Sequence, residues 1–410
     1  MNRLISLTGL LALTCAISTA RAECPSPTSI NELFACLEEQ SAELQSSRLE
    51  VERNKAQIGA AEQWKNPEFS AETFQGDADG TRQSETDLSL AIPLELGARR
   101  AARRSVAESQ VRIAELRHQL ARAELRRESI LRLHRLRQTA HEIEIVDETL
   151  QSYAKLISQY ARRPGLNPEQ EVSLSLFQSA YGEFQFKAVA LADEIAGLEA
   201  FFRSKAGTTG PNLRRLLPPA PKSWPEMKRP ASPAPSSQAR LFDAEIAAAQ
   251  ADLDVARSEA WPILAIGPSV KVQREANRSN QLFGMNLSLP LPIFNTNGGA
   301  KAASQAALRL QENRRQTGLR EQGIQREELA RIYRQSVKAL NEGPSHQDME
   351  KRHKAVDRLF GRGMIPSALV IESHRTHFEL ERSRNEREAT AIDSLLEAQI
   401  LDGILPEVGT

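Results

Sequence analysis

Glu372, His374 and His377 form an E-x-H-x-x-H pattern. On a helix, residues three apart share a face, so His374 and His377 could both touch one metal ion. Ordinary surface histidines make the same pattern, and both readings stay open. His134 and His141, seven apart, would also share a helical face. Arg99, Arg100, Arg103 and Arg104 could meet lipid phosphates or line the mouth of a pore; the plain alternative is solubility and pairing with neighbouring helices. Asn297-Gly298-Gly299 is too short for a phosphate loop and lacks the Lys-Ser/Thr that should follow, so its glycines are read as room for a bend. There is no nucleophile elbow, zinc-protease motif or dinucleotide fingerprint. Neither catalysis nor a cofactor is expected.

The chain that must position these groups has 410 residues, 26% charged and 5% aromatic, with Lys+Arg and Asp+Glu both 53. A formal net charge of zero argues against a nucleic-acid binder. Residues 1–22 read as a secretory signal: Arg3, an apolar run over 4–17, then Ala20-Arg21-Ala22 as a cleavage site. Thr14-Cys15 is a poor fit to a lipidation box. No later apolar run approaches the ~20 residues of a spanning helix. In an oxidising compartment Cys24 and Cys36 could form a disulfide or remain two thiols.

Two stretches carry the main structural signal. LSLAIPL at residues 88–94 returns as LSLPLPI at residues 287–293. Each is preceded by a segment opening on Trp and Pro, WKNPEFSAETF at 64–74 and WPILAIGPSVKV at 261–272, and each is followed by a long helical run. The chain therefore reads as one unit written twice: helix, strand, strand, long helix, returning helix. Strands are expected at about 66–75, 85–94, 262–272 and 282–292. Their alternation places Leu88, Leu90, Ile92 and Leu94 on one face against Asp87, Ser89 and Ala91 on the other. Phe283, Met285, Leu287, Leu289 and Leu291 likewise oppose Gly284, Asn286 and Ser288. The lengths suit strands crossing a bilayer, although a half-buried soluble sheet looks the same locally. Pro268 inside a strand counts against an unbroken ladder.

The first repeat is placed at residues 23–206 and the second at 238–402, with 403–410 as a tail. A first helix is expected over 29–63, capped by Ser29 with Glu32 three places on. Residues 97–162 read as one helix of ~100 Å, turning at 163–168 and returning over 169–205. Eight of the 21 prolines fall between Pro211 and Pro235, marking 207–237 as a linker with little regular structure. In the second repeat, helices are expected over 238–260, 295–341 and 347–360, then a turn at 361–366 and a return over 367–401.

The chain resembles the TolC family of outer-membrane efflux proteins over nearly its whole mature length. The resemblance rests on Trp64 with Asn66-Pro67 before the first strand, and on LSLPLPIF leading into Asn297-Gly298-Gly299 and an Ala/Gln-rich helix. It rests also on the paired turns Gly165-Leu166-Asn167-Pro168 and Gly363-Met364-Ile365-Pro366. It implies a fold that is mainly α with a membrane β part: a homotrimer in which four strands per chain complete a 12-stranded β-barrel in outer-membrane lipid. Long coiled-coil helices would continue the barrel as a tunnel into the periplasm. The function implied is a passive exit duct, joined through a periplasmic adaptor to an inner-membrane pump, expected to be proton-driven. A branch exporting cobalt, zinc and cadmium belongs to this family, and the short chain suits that branch. Gly165, Leu166, Gly363 and Met364 would be adaptor-docking tips. Glu372, with Glu171, would match the acids that ring the closed end, while Leu369 stands where another acid often sits. Carboxylate rings attract cations, so a cation-favouring constriction is one reading and solvated helix residues are the other. The competing functions are a periplasmic adaptor, which should carry one hairpin in a β-domain, and a soluble coiled-coil scaffold.

Overall fold

A computed structural model describes residues 27–78, 80–207, 210–227, 235–275 and 278–407. The proposed signal, Cys15 and Cys24 lie outside the described residues. Cys36 is disulfide-bonded.

The expected first helix is two helices, α1 (Ile30–Gln40) and α2 (Ala42–Ala61), interrupted at Ser41, whose ψ of 119° is not helical. The break frees α1 to turn Leu33, Phe34 and Leu37 into a cluster with Leu133 and Phe202, while α2 follows the next long helix. Ser29 accepts from the Glu32 amide, as a cap should, but the Glu32 carboxylate reaches back to the Thr28 amide at 2.8 Å.

Strands β1 (Glu68–Ala78) and β2 (Thr81–Glu95) follow, then β3 (Ile263–Glu275) and β4 (Arg278–Ser288) from the second half of the chain. They form one antiparallel sheet in the order β1-β2-β3-β4. The hairpins are tighter than the sequence suggested, because polar residues expected in loops, such as Gln83, Ser84, Gln273 and Arg274, extend the ladder. At the other end β4 stops at Ser288, because Pro290 and Pro292 cannot donate to a ladder. Leu289 and Leu291 therefore leave the strand assigned to them.

Pro268 does sit inside β3, facing Met285 of β4. On its other side the β2–β3 pairing runs from Ser89–Ser269 to Ile92–Ile266 and skips Pro268 and Gly267. There the two backbones close in: a Cβ on Gly267 would lie 1.7 Å from the Leu90 carbonyl oxygen. Glycine at 267 is what allows the ladder to resume at the same register.

The helices carry the rest. α3 (Arg99–Ala161) has 63 residues, ~95 Å at helical rise, and turns into α4 (Pro168–Ala206) through a capping box between Asn167 and Gln170. The linker is not wholly irregular, since it contains α5 (Gly210–Arg214). It packs as a belt: Leu213 and Leu216 join the cluster of α1, α3 and α4, and Trp224 lies 6.3 Å from Tyr333 of the second repeat. α6 (Ser237–Ser258) precedes β3. α7 (Gly298–Glu342) follows β4 and breaks at Gly343-Pro344 before α8 (His346–Gly361). α9 (Ser367–Leu401) returns along α7 and α8 and touches α3 and α4. Buried charge ties the two repeats together. Glu142, with no exposed side-chain surface, accepts from Arg135 at 2.8 Å and from Asn385 of α9 at 2.8 Å. Unpaired, that carboxylate would cost several kcal/mol.

Candidate functional site: the sheet faces, the helical tips and a histidine cluster

The register decides what each sheet face is. Pairings align Phe69 with Leu90, Leu88 with Val270, Val270 with Phe283, and Ile266 with both Ile92 and Leu287. One face is therefore apolar across all four strands. It is also uncovered: Phe69 is 69% exposed, Phe283 80% and Leu287 65%. The opposite face is polar and cross-linked. Ser70 and Ser89 hydroxyls are 2.7 Å apart, Lys271 pairs with Glu85 and Asp87, and Gln273 donates to Glu85 at 3.0 Å. Phe74, Leu282 and Ile263 are the large apolar exceptions there, paired with Glu85, Lys271 and Glu95. Both outer strands, β1 and β4, end the sheet with an open edge. A greasy face with open edges is a hazard in water, and lipid and further strands remove it.

The strand-to-helix junctions repeat. α3 starts from Ala98 and α7 from Asn297, both in the left-handed region at φ 59° and 57°. The second junction thus bends at Asn297 rather than at Gly298 or Gly299; asparagine tolerates this conformation and its side chain donates to the Ala256 carbonyl at 2.8 Å. At the first junction Gly97 is also left-handed, and a Cβ there would meet Trp261 at 2.4 Å. The arginines are committed to these junctions. Arg99 donates to the Glu259 carbonyl at 2.9 Å beyond α6, and Arg103 holds Glu95 at 2.7 Å. Arg104 pairs with Glu62 at 2.7 Å, and Arg100 lies over the Trp64 ring at 4.3 Å. Each of the four thus has a partner on a neighbouring element, as the pairing reading expects.

The two turns at the far helical ends are built differently. Gly363, at φ 72°, closes a Schellman motif: its amide donates to Phe360 at 2.8 Å and that of Met364 to Leu359 at 3.0 Å. Met364 is left 65% exposed. At the other turn Gly165 is exposed and Leu166 half-buried. Glu372 and Glu171 are both exposed, and neither side chain has a hydrogen-bond or ion-pair partner among the described residues.

The E-x-H-x-x-H pattern separates in space. Glu372 points to solvent, whereas His374 is only 1% exposed, so the surface-histidine reading fails for it. His377 is in neither of the three-residue groups of possible metal ligands that form among the described residues. His374 instead joins His353 and Asp357 of α8, which sequence reasoning missed, and His377 stacks on His353 with ring centroids 4.9 Å apart. Burial holds both rings toward the neutral form, His377 down at about 4. The missed signal is arithmetic: a turn centred near Gly363 folds residue 353 onto 374 and 346 onto 381. The second match also forms, as His346 Nδ1 lies 2.5 Å from Glu381, with His141 of α3 beside them. His134 and His141 do not share a partner, since His134 lies near Glu388, with 3.8 Å between Nδ1 and a carboxylate oxygen.

No family model and no curated protein matches the chain. Solved structures do match. The chain superposes on the CmeC outer membrane channel of Campylobacter jejuni with a TM-score of 0.71 and 11% identity, covering 93% of this chain and 86% of that one. For the outer membrane protein VceC of Vibrio cholerae the TM-score is 0.68 at 13% identity, over 92% and 96%. For CusC, a protein that forms a transmembrane channel, it is 0.65 at 15% identity, over 91% and 92%. Sheet, paired hairpins and belt together give this chain the fold of the TolC-like outer-membrane channels.

Proposed function

We propose that the chain is one third of a trimeric outer-membrane exit duct. Three four-stranded sheets join edge to edge into a 12-stranded barrel, and the helical hairpins continue it as a periplasmic tunnel. The observation that carries the reading is the sheet: a continuous apolar face, a hydrogen-bonded polar face and two open edges on one set of strands. Closure by sister copies removes the edges and lipid accepts the outer face. The alternatives fit less well. An adaptor carries one hairpin, and this chain has two, α3–α4 and the α7/α8–α9 return. A soluble scaffold has no use for an uncovered apolar sheet.

In this reading the turns at Gly165-Leu166 and Gly363-Met364 meet a periplasmic adaptor, and the adaptor links the duct to an inner-membrane pump of the proton-driven type. The duct itself is passive. Glu372, with Glu171, narrows the far end and favours cations; their exposure and lack of partners support the role. Membrane fractionation and the mass of the detergent-extracted particle test the proposal. A trimer in the outer-membrane fraction is expected. A monomer in the detergent-free soluble extract would overturn it.

A further inference from the structure

We propose that His353, Asp357 and His374 bind one divalent transition-metal ion of the zinc type, which ties α8 to α9 above the turn at Gly363. The inference is independent of conduction. It starts from the direction of the rings. His374 points Nδ1 at the Val370 carbonyl, 2.9 Å away. A carbonyl can only accept, so Nδ1 carries the proton and Nε2 keeps its lone pair, which is how a second hydrogen bond orients a ligating histidine. That Nε2 lies 3.9 Å from one Asp357 oxygen, and Nε2 of His353 lies 3.4 Å from the other. One donor atom from each of the three residues falls within 4.8 Å of the others. Ligands bound tetrahedrally to zinc stand about 3.3–3.5 Å apart, so little closure is needed.

The surroundings fit the same purpose. His374 is 1% exposed and its ring lies 5.0 Å from Tyr153, while the Asp357 side chain is 37% exposed and leaves a path for an ion and a water as fourth ligand. Nε2 of His353, which faces Asp357, is the ring nitrogen the site uses, while its Nδ1 is buried without a hydrogen-bond partner among the described residues. The neighbouring set of His141, His346 and Glu381 is less suited. His346 already bonds Glu381 at 2.5 Å, closer than two ligands of one ion stand, and so satisfies that carboxylate directly.

The test is titration of the full chain, stripped with chelator, with zinc alone and with cobalt(II) alone. One equivalent of zinc per chain is expected, with a raised unfolding temperature and the visible absorption of four-coordinate cobalt. Asp357→Asn changes a partly exposed side chain and should keep the fold, checked by circular dichroism. It should weaken zinc binding at least tenfold, about the smallest loss seen when even an outer partner of a metal ligand is removed. His374→Gln should do the same, and His141→Ala should bind as the parent does. Failure to bind zinc, or binding that survives Asp357→Asn and His374→Gln, overturns the site. So does binding lost in His141→Ala alone. A chain that proves soluble and monomeric can be titrated identically, so failure of the channel reading stays distinct.

Discussion

Placing one charge on the apolar sheet face tests the reading of the strands directly. Val270 lies near the middle of β3, which spans Ile263–Glu275, and faces Leu88 on one side and Phe283 on the other. In a barrel it meets the hydrocarbon near mid-depth. An arginine there costs ~2–4 kcal/mol per chain, and a closed trimer carries three copies, so assembly loses on the order of 6–12 kcal/mol. Domains are stable by only about 5–15 kcal/mol, so the inserted trimer should be lost or nearly so. Asn286→Arg is the matched control: it is also on the sheet, but on the polar face, opposite Gly267. Both variants add the same side chain. The assay is the yield of each protein in outer-membrane fractions, with trimer content read by detergent-phase sizing. Val270→Arg should be depleted and Asn286→Arg should insert near the parent level. If Val270→Arg inserts normally while Asn286→Arg fails, the two faces have been assigned the wrong way round. If both insert equally, the sheet does not cross a membrane.

Two further outcomes are expected. Glu372→Ala should raise single-channel conductance and reduce cation preference in planar bilayers, and unchanged values in both would remove Glu372 from the constriction. Burial first, then the Arg137 charge, pushes His134 down to about 4, and nearby Glu388 does not reverse this because it is engaged by Arg137 and Gln138. The unfolded chain then binds that proton more tightly than the folded one. This contribution is complete above about pH 6.5 and is lost as pH falls toward 4, on the order of 3 kcal/mol per chain. His134→Gln should flatten that acid limb in urea unfolding at stepped pH, and an unchanged slope would refute the linkage.

Periodicity was enough for the order of helices and strands, whereas the barrel and tunnel were expected only from the resemblance to the TolC family. Alternation of apolar and polar residues around Leu88 and Leu287 marks strands, because side chains in a strand point alternately to two faces. The long Ala/Arg/Leu runs and the Asn167-Pro168 and Gly363 turns mark the hairpins, because those residues start or stop helices whatever surrounds them. The duplication and the two-faced strands follow from the same local rules. Strand ends were less legible: Gln83 and Gln273 look like loop residues until partners such as Glu275 and Ser84's neighbour Glu85 satisfy them. The break at Ser41 is likewise invisible locally, since it serves contacts with residues such as Phe202, far along the chain.

What only the tertiary structure decided is which distant residues meet. The E-x-H-x-x-H spacing suggested one site, yet a helix with a hairpin partner buries some of its positions against that partner. His374 turns inward to His353 and Asp357 while Glu372, two residues earlier, turns to solvent. Sequence spacing fixes the angle between side chains on one helix. It does not fix which angle faces the neighbouring helix, and that packing choice separates a buried ligand from an exposed acid.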